Sequence, residues 1–192
     1  MFIQTESTPN PRTLKFLPGR DVLGSGSREF AEADAAIGSP LAQALFAVAG
    51  VERVYLGGDF LTITKADAVE WPHLKPHLLA AIMDHYLSGR PVLLDAGAQA
   101  DASDEADIVY DGEAAGIVKE IKEIIEARVR PAVARDGGDI TFHSWDHSAG
   151  IVRLNMRGSC AGCPSSALTL KQGIENMLRH YVPEVLGVEQ VV

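Results

Sequence analysis

Ile151-Val152-Arg153-Leu154-Asn155-Met156-Arg157-Gly158-Ser159-Cys160-Ala161-Gly162-Cys163-Pro164 changes character twice within one short stretch. Val152, Leu154 and Met156 alternate with polar neighbours, the period of a strand with one buried face. Two cysteines follow, two residues apart, and then a proline, which is best tolerated in the first turn of a helix. The stretch therefore reads as strand, cysteine loop, helix. Downstream, Ala167, Leu170, Ile174, Met177, Leu178 and Tyr181 recur at helical spacing, predicting a helix over Pro164 to Tyr181, and Val185 to Val192 reads as a closing strand. Upstream, Asp139 to Trp145 alternates as a second strand, joined to the first by the hairpin residues Asp146 to Gly150. Before it, Ile117, Val118, Ile121, Ile124, Ile125 and Val129 mark one apolar face of a helix over Gly116 to Arg130, which Pro131 is expected to limit.

The N-terminal part is also mixed. Phe2 to Thr5 and Leu14 to Leu17 read as short strands around the turn Thr8-Pro9-Asn10-Pro11. Pro40 to Ala49 reads as a helix, Val51 to Leu56 and Phe60 to Thr64 as a hairpin around Gly57-Gly58-Asp59, and Trp71 to Leu87 as a second helix. Between the halves, Ala96 to Ala115 is rich in Gly, Ala, Ser and acidic residues and poor in large apolar side chains, so it cannot bury enough surface to order itself. The expected class is α+β: two small mixed domains, 1–95 and 116–192, joined by a flexible acidic linker at 96–115. The C-terminal domain would be a small sheet packed by two helices.

Of the 192 residues, 46% are hydrophobic, enough for a packed core. No run approaches the roughly 20 apolar residues of a membrane span, so no membrane partner is expected. A net charge of −9 argues against nucleic acid, whose phosphates call for clustered Lys and Arg. The acidic excess is local: residues 99–115 carry 6 acidic groups and 0 basic ones. The start, Met1-Phe2-Ile3-Gln4-Thr5-Glu6, has no basic, signal or Arg-rich transit pattern. The expectation is a bacterial cytoplasmic protein, with a processed protein of the mitochondrial matrix as the alternative.

Cys160 and Cys163 are the whole cysteine complement, which excludes a disulfide framework and points to chemistry at one loop. A two-residue spacer lets one loop aim two sulfurs at a common centre, as iron–sulfur clusters and zinc require. The helix N-terminus after Cys163 favours the thiolate, and Gly158 and Gly162 let backbone N–H groups approach sulfur. Ser159, Ser165 and Ser166 are candidate further donors. An iron–sulfur cluster takes four protein ligands, so a chain with two cysteines would share one with a second copy. A thiol–disulfide redox pair, a zinc shared by two chains and an inert buried pair also fit the motif, although residues 116–192 offer less sheet than a thioredoxin needs. Neither cysteine reads as core.

His143 is a candidate auxiliary ligand or a strand histidine facing water. Arg153 and Arg157 could offset a cluster's negative charge or form a solvated face. Asp136-Gly137-Gly138-Asp139 matches neither a phosphate loop nor a complete calcium loop and reads as a turn before a strand. No set of residues suggests catalysis, so no catalytic residue is assigned and the chain is not expected to be an enzyme.

Arg135-Asp136-Gly137-Gly138-Asp139, the stretch Leu154 to Ser166, Leu170-Lys171-Gln172-Gly173-Ile174-Glu175 and Pro183-Glu184-Val185 resemble the C-terminal domain of the NifU family. Thr8-Pro9-Asn10-Pro11, Leu14-Lys15-Phe16 and Pro18-Gly19 resemble the domain that precedes it in Nfu proteins. The resemblance implies a scaffold and carrier that holds a 4Fe-4S cluster, favoured over 2Fe-2S, between two chains through Cys160 and Cys163. It further implies a homodimer when loaded, cluster-donating assembly proteins as suppliers and apo iron–sulfur enzymes as recipients. The alternative is a redox or chaperone-like module using the same cysteines.

Overall fold

A computed structural model describes residues 2–94, 108–161 and 164–191, the side chains of 164–167 aside. The chain is α+β and divides into two compact units, Met1–Asp101 and Ala102–Val192. Most of the expected acidic linker lies outside the described residues. Its last residues are helical, since the first helix of the second unit begins at Gly112 and not at Gly116.

The first unit is an antiparallel sheet in the order β1-β2-β5-β4-β3, built from β1 (Gln4–Ser7), β2 (Thr13–Leu17), β3 (Arg28–Phe30), β4 (Val51–Leu56) and β5 (Leu61–Lys65). The β1–β2 turn is held by Asn10, whose Oδ1 accepts from the Arg12 amide at 3.0 Å and whose carbonyl accepts from the Thr13 amide at 2.9 Å. A 3₁₀ helix (Ala33–Gly38) precedes α1 (Pro40–Phe46), where Ser39 Oγ accepts from the Ala42 amide at 3.2 Å and Pro40 fills the first turn. The sequence expectation carried α1 to Ala49. It stops earlier because the Val48 amide turns to the Leu45 carbonyl and Gly50 takes φ +98° to enter β4. Helix α2 (Trp71–Leu87) runs as expected and buries Leu74, Leu78 and Ile82 against Phe16, Leu45 and Ile63.

The second unit holds α3 (Gly112–Ile124), a π turn (Ile125–Val129), α4 (Arg130–Arg135), β6 (Gly138–Asp146), β7 (Ile151–Gly158), α5 (Pro164–Tyr181) and β8 (Gly187–Gln190). Pro131 does not end the helix, contrary to expectation. A proline lacks an N–H and crowds the carbonyl one turn back. The π turn relieves this: the Arg130 amide reaches the Ile125 carbonyl, five residues back, and the helix continues to Arg135. Strand β7 is central, antiparallel to β6 and parallel to β8. Parallel neighbours need a crossover, and α5 supplies it. The alternation read from the sequence sets the core: Val152, Leu154 and Met156 of β7 share one buried cluster with Ile121, Ile125 and Val129 and with Ile174 and Leu178 of α5.

Candidate functional site

Strand β7 leaves the sheet at Gly158, which takes φ +63° and stands opposite Gly138 at the start of β6. Positive φ lets the chain turn off the strand without a Cβ penalty. Cys160 and Ala161 then form a tight turn, their amides donating to the carbonyls of Arg157 at 3.4 Å and Gly158 at 3.2 Å. Ser159 ties this turn to the one after α4: its amide donates to the Gly137 carbonyl at 3.1 Å and its hydroxyl to the Asp136 carbonyl at 2.6 Å. The hydroxyl oxygen lies 4.0 Å from Cys160 Sγ. With its hydrogen on Asp136, Ser159 meets the sulfur as an acceptor and is not the donor the sequence suggested.

Cys160 is 5% exposed and packs in the cluster of Ile140, Leu154 and Ile174. This corrects the expectation that neither cysteine is core. The reason lies in Gly138: a Cβ placed there would sit 2.4 Å from Cys160 Sγ, 2.9 Å from the Arg157 carbonyl oxygen and 3.2 Å from the Cys160 amide. Only glycine leaves room for the cysteine to fold inward. The Asp136-Gly137-Gly138-Asp139 stretch is thus the floor of the cysteine site as well as a turn. Sequence reasoning did not assign Gly138 to the site, although the paired glycines ahead of a strand were a signal of close backbone approach.

The floor is braced from the helix side. The buried Asp139 takes a two-pronged bond from Arg130, Nε to Oδ1 at 2.8 Å and Nη2 to Oδ2 at 2.9 Å, and its Oδ1 also accepts from the Ile140 amide at 2.9 Å. Arg130 Nη1 meets both oxygens of Glu126 at 2.9 Å. The bond to Asp139, foremost, pushes the guanidinium further above its ordinary value. This fork fixes the start of β6 beneath Cys160 and follows from the π turn, which sets Arg130 beside the strand.

Other expected residues are not brought to the sulfur. His143 is the extra residue of a bulge between Phe142 and Ser144, five positions along β6 from Gly138, about 16 Å at strand rise. Arg153 pairs with Asp146 at 3.8 Å and Glu189 at 3.4 Å, so its charge is already matched. Arg157 stands opposite Asp139 in the ladder. Gly162 and Cys163 lie outside the described residues, as do the side chains of Ser165 and Ser166. Among the described residues no three His, Cys, Asp or Glu side chains gather as a metal site. No helix among the described residues is long and apolar enough to cross a membrane.

An α+β pair of units, the second presenting a cysteine loop between strand and helix, defines the class to which the comparisons point. Residues 3–89 match the family described as scaffold protein Nfu/NifU N terminal, and residues 121–189 match the NifU-like domain. "NifU-like protein 4, mitochondrial" and "NifU-like protein 5, mitochondrial" of Arabidopsis thaliana are each 54% identical over 99% of this chain, which covers 66% and 68% of their lengths. "NFU1 iron-sulfur cluster scaffold homolog, mitochondrial" of Drosophila sechellia is 51% identical over 100% of the chain and 65% of that protein. The chain therefore belongs to the NifU-like, or Nfu, family of iron–sulfur cluster scaffold proteins. It spans about two-thirds of the length of these curated relatives. Their names place them in mitochondria, and the expectation of a bacterial cytoplasmic protein finds no support in them.

Proposed function

We propose that this chain carries an iron–sulfur cluster as cargo, held between two copies that each contribute Cys160 and Cys163, and hands it to apo-proteins. The observation that supports the reading most is the economy of the site: within a family of cluster scaffolds, the chain has 2 cysteines, both in the loop between β7 and α5. Four ligands are needed and one chain supplies two. Cys160 suits a soft metal because its thiolate is a soft ligand. A 4Fe-4S cluster is favoured over 2Fe-2S. Loading requires the Cys160 side chain to turn outward from Gly138, which leaves the sulfur protected in the empty chain. The suppliers are cluster-donating assembly proteins and the recipients apo iron–sulfur enzymes. Residues 1–95 recognise those partners, 116–192 hold the cargo, and the acidic stretch 96–115 joins them.

The test is iron content after anaerobic reconstitution with iron and sulfide. Cys160→Ala and Cys163→Ala should each lose the bound iron. Retention of full iron in either variant contradicts the assignment. A wild-type chain that takes no iron but cycles between dithiol and disulfide would favour the redox alternative.

A further inference from the structure

Among the described residues of α5 from Leu168 to Asn176, the exposed ones carry no charge, and Arg179, one turn further on, is the first that does. Leu168, Thr169, Gln172, Gly173 and Asn176 are exposed there, Leu168 to 68%. The charged residues of that stretch, Lys171 and Glu175, are half-buried, and Glu175 turns to Arg179 at 3.1 Å and to the Val188 amide at 3.4 Å. Helix α3 of the same unit shows the opposite pattern. Its exposed positions include Lys119, Glu120 and Glu123, with Lys119 and Glu123 paired at 3.9 Å. A lone exposed leucine is ordinary. An uncharged face containing one is what the core of a protein interface needs, since charged groups are depleted there.

We propose that this face of α5 is the surface on which a second copy of the chain docks when a cluster is shared. The inference rests on the cluster reading and adds where the two copies touch. Helix α5 begins at the residue after Cys163, and Leu168 lies five residues on, about 7.5 Å along the axis. Two loops close enough to bind one cluster must bring the first turns of both α5 helices close together. In a two-fold contact the residues nearest the axis meet their own copies. A charged face would then oppose like charges, whereas Leu168, Gln172 and Asn176 are compatible with themselves. At Gly173, apart from its chain neighbours and the helix's own backbone, no described residue lies within 4 Å of where a Cβ would be, so a close neighbour can be admitted there.

The experiment compares the full chain, Leu168→Lys with Gln172→Lys, Asn176→Lys, and Glu120→Lys on α3. Each is reconstituted anaerobically with iron and sulfide, then measured for iron per chain and for mass in solution, with circular dichroism to check the fold. All four sites are exposed. The double variant should associate more weakly by about tenfold or more and lose iron in proportion, Asn176→Lys should shift the same way by less, and Glu120→Lys should match wild type. A double variant that loads and dimerises like wild type overturns the docking surface while leaving the cluster reading standing. A wild-type chain that takes up no iron removes the cluster reading and this inference with it.

Discussion

The sulfur of Cys160 occupies the space that a side chain at Gly138 would need, 2.4 Å from the position of its Cβ. Gly138→Ala must therefore displace either the cysteine or the Arg157 backbone. Overpacking of this kind costs about 1–3 kcal/mol. The urea midpoint should fall, and iron uptake should fall with it because the loop no longer holds its turn. An unchanged midpoint would show that the site relaxes freely.

Cys160 belongs to a core, so its removal has two separable effects. Cys160→Ala should lower stability by about 1 kcal/mol through the small cavity left behind. It should also abolish iron binding. Equilibrium denaturation of the apo-protein reads the first and iron analysis the second, and a variant as stable as wild type would contradict the inward placement of the side chain.

The fork between Arg130 and Asp139 makes a stability prediction at a distance from the cysteines. Asp139→Ala leaves a half-buried guanidinium without its main partner, at a cost of about 1–3 kcal/mol. Arg130→Lys should cost less, because the ammonium keeps a charge opposite Asp139 even though it cannot reproduce the two-pronged bond. Chemical denaturation of the two variants tests the order, and the reverse order contradicts the geometry.

His85, 5% exposed on α2, has no partner for Nε2 among the described residues, and burial foremost, with the nearby charge of Arg90, lowers its pKa from 6.5. The folded chain then resists the proton more than the unfolded chain does. Stability is full above the unfolded value, falls as pH drops below about 6.5, and levels off below the lowered folded value. His85→Gln should flatten that loss. An NMR titration placing the His85 midpoint at or above the ordinary value would contradict the argument.

Much of this fold was legible because the sheets and most helices announce themselves by period. The alternation of Val152, Leu154 and Met156 predicts the strand found there, and the helix read from Pro40 starts at that residue. Strand β3 was not legible: its few residues follow Gly24-Ser25-Gly26-Ser27, and pairing with β4 makes it a strand. Pro131 misled for a different reason, since a π turn removes the conflict that normally stops a helix. At the site, the position of the cysteines between a strand and a helix was legible from the alternation before them and from Pro164 after them. The role of Gly138 was not, because it depends on β6 returning beneath β7, a contact between residues far apart in the chain.

The most direct measurement is the iron content and mass of the wild-type chain after anaerobic reconstitution, with Mössbauer spectra to identify the cluster. A dimer with about two irons per chain and a 4Fe-4S spectrum is expected. A monomer holding a complete cluster, or a colourless chain at any mass, would contradict it.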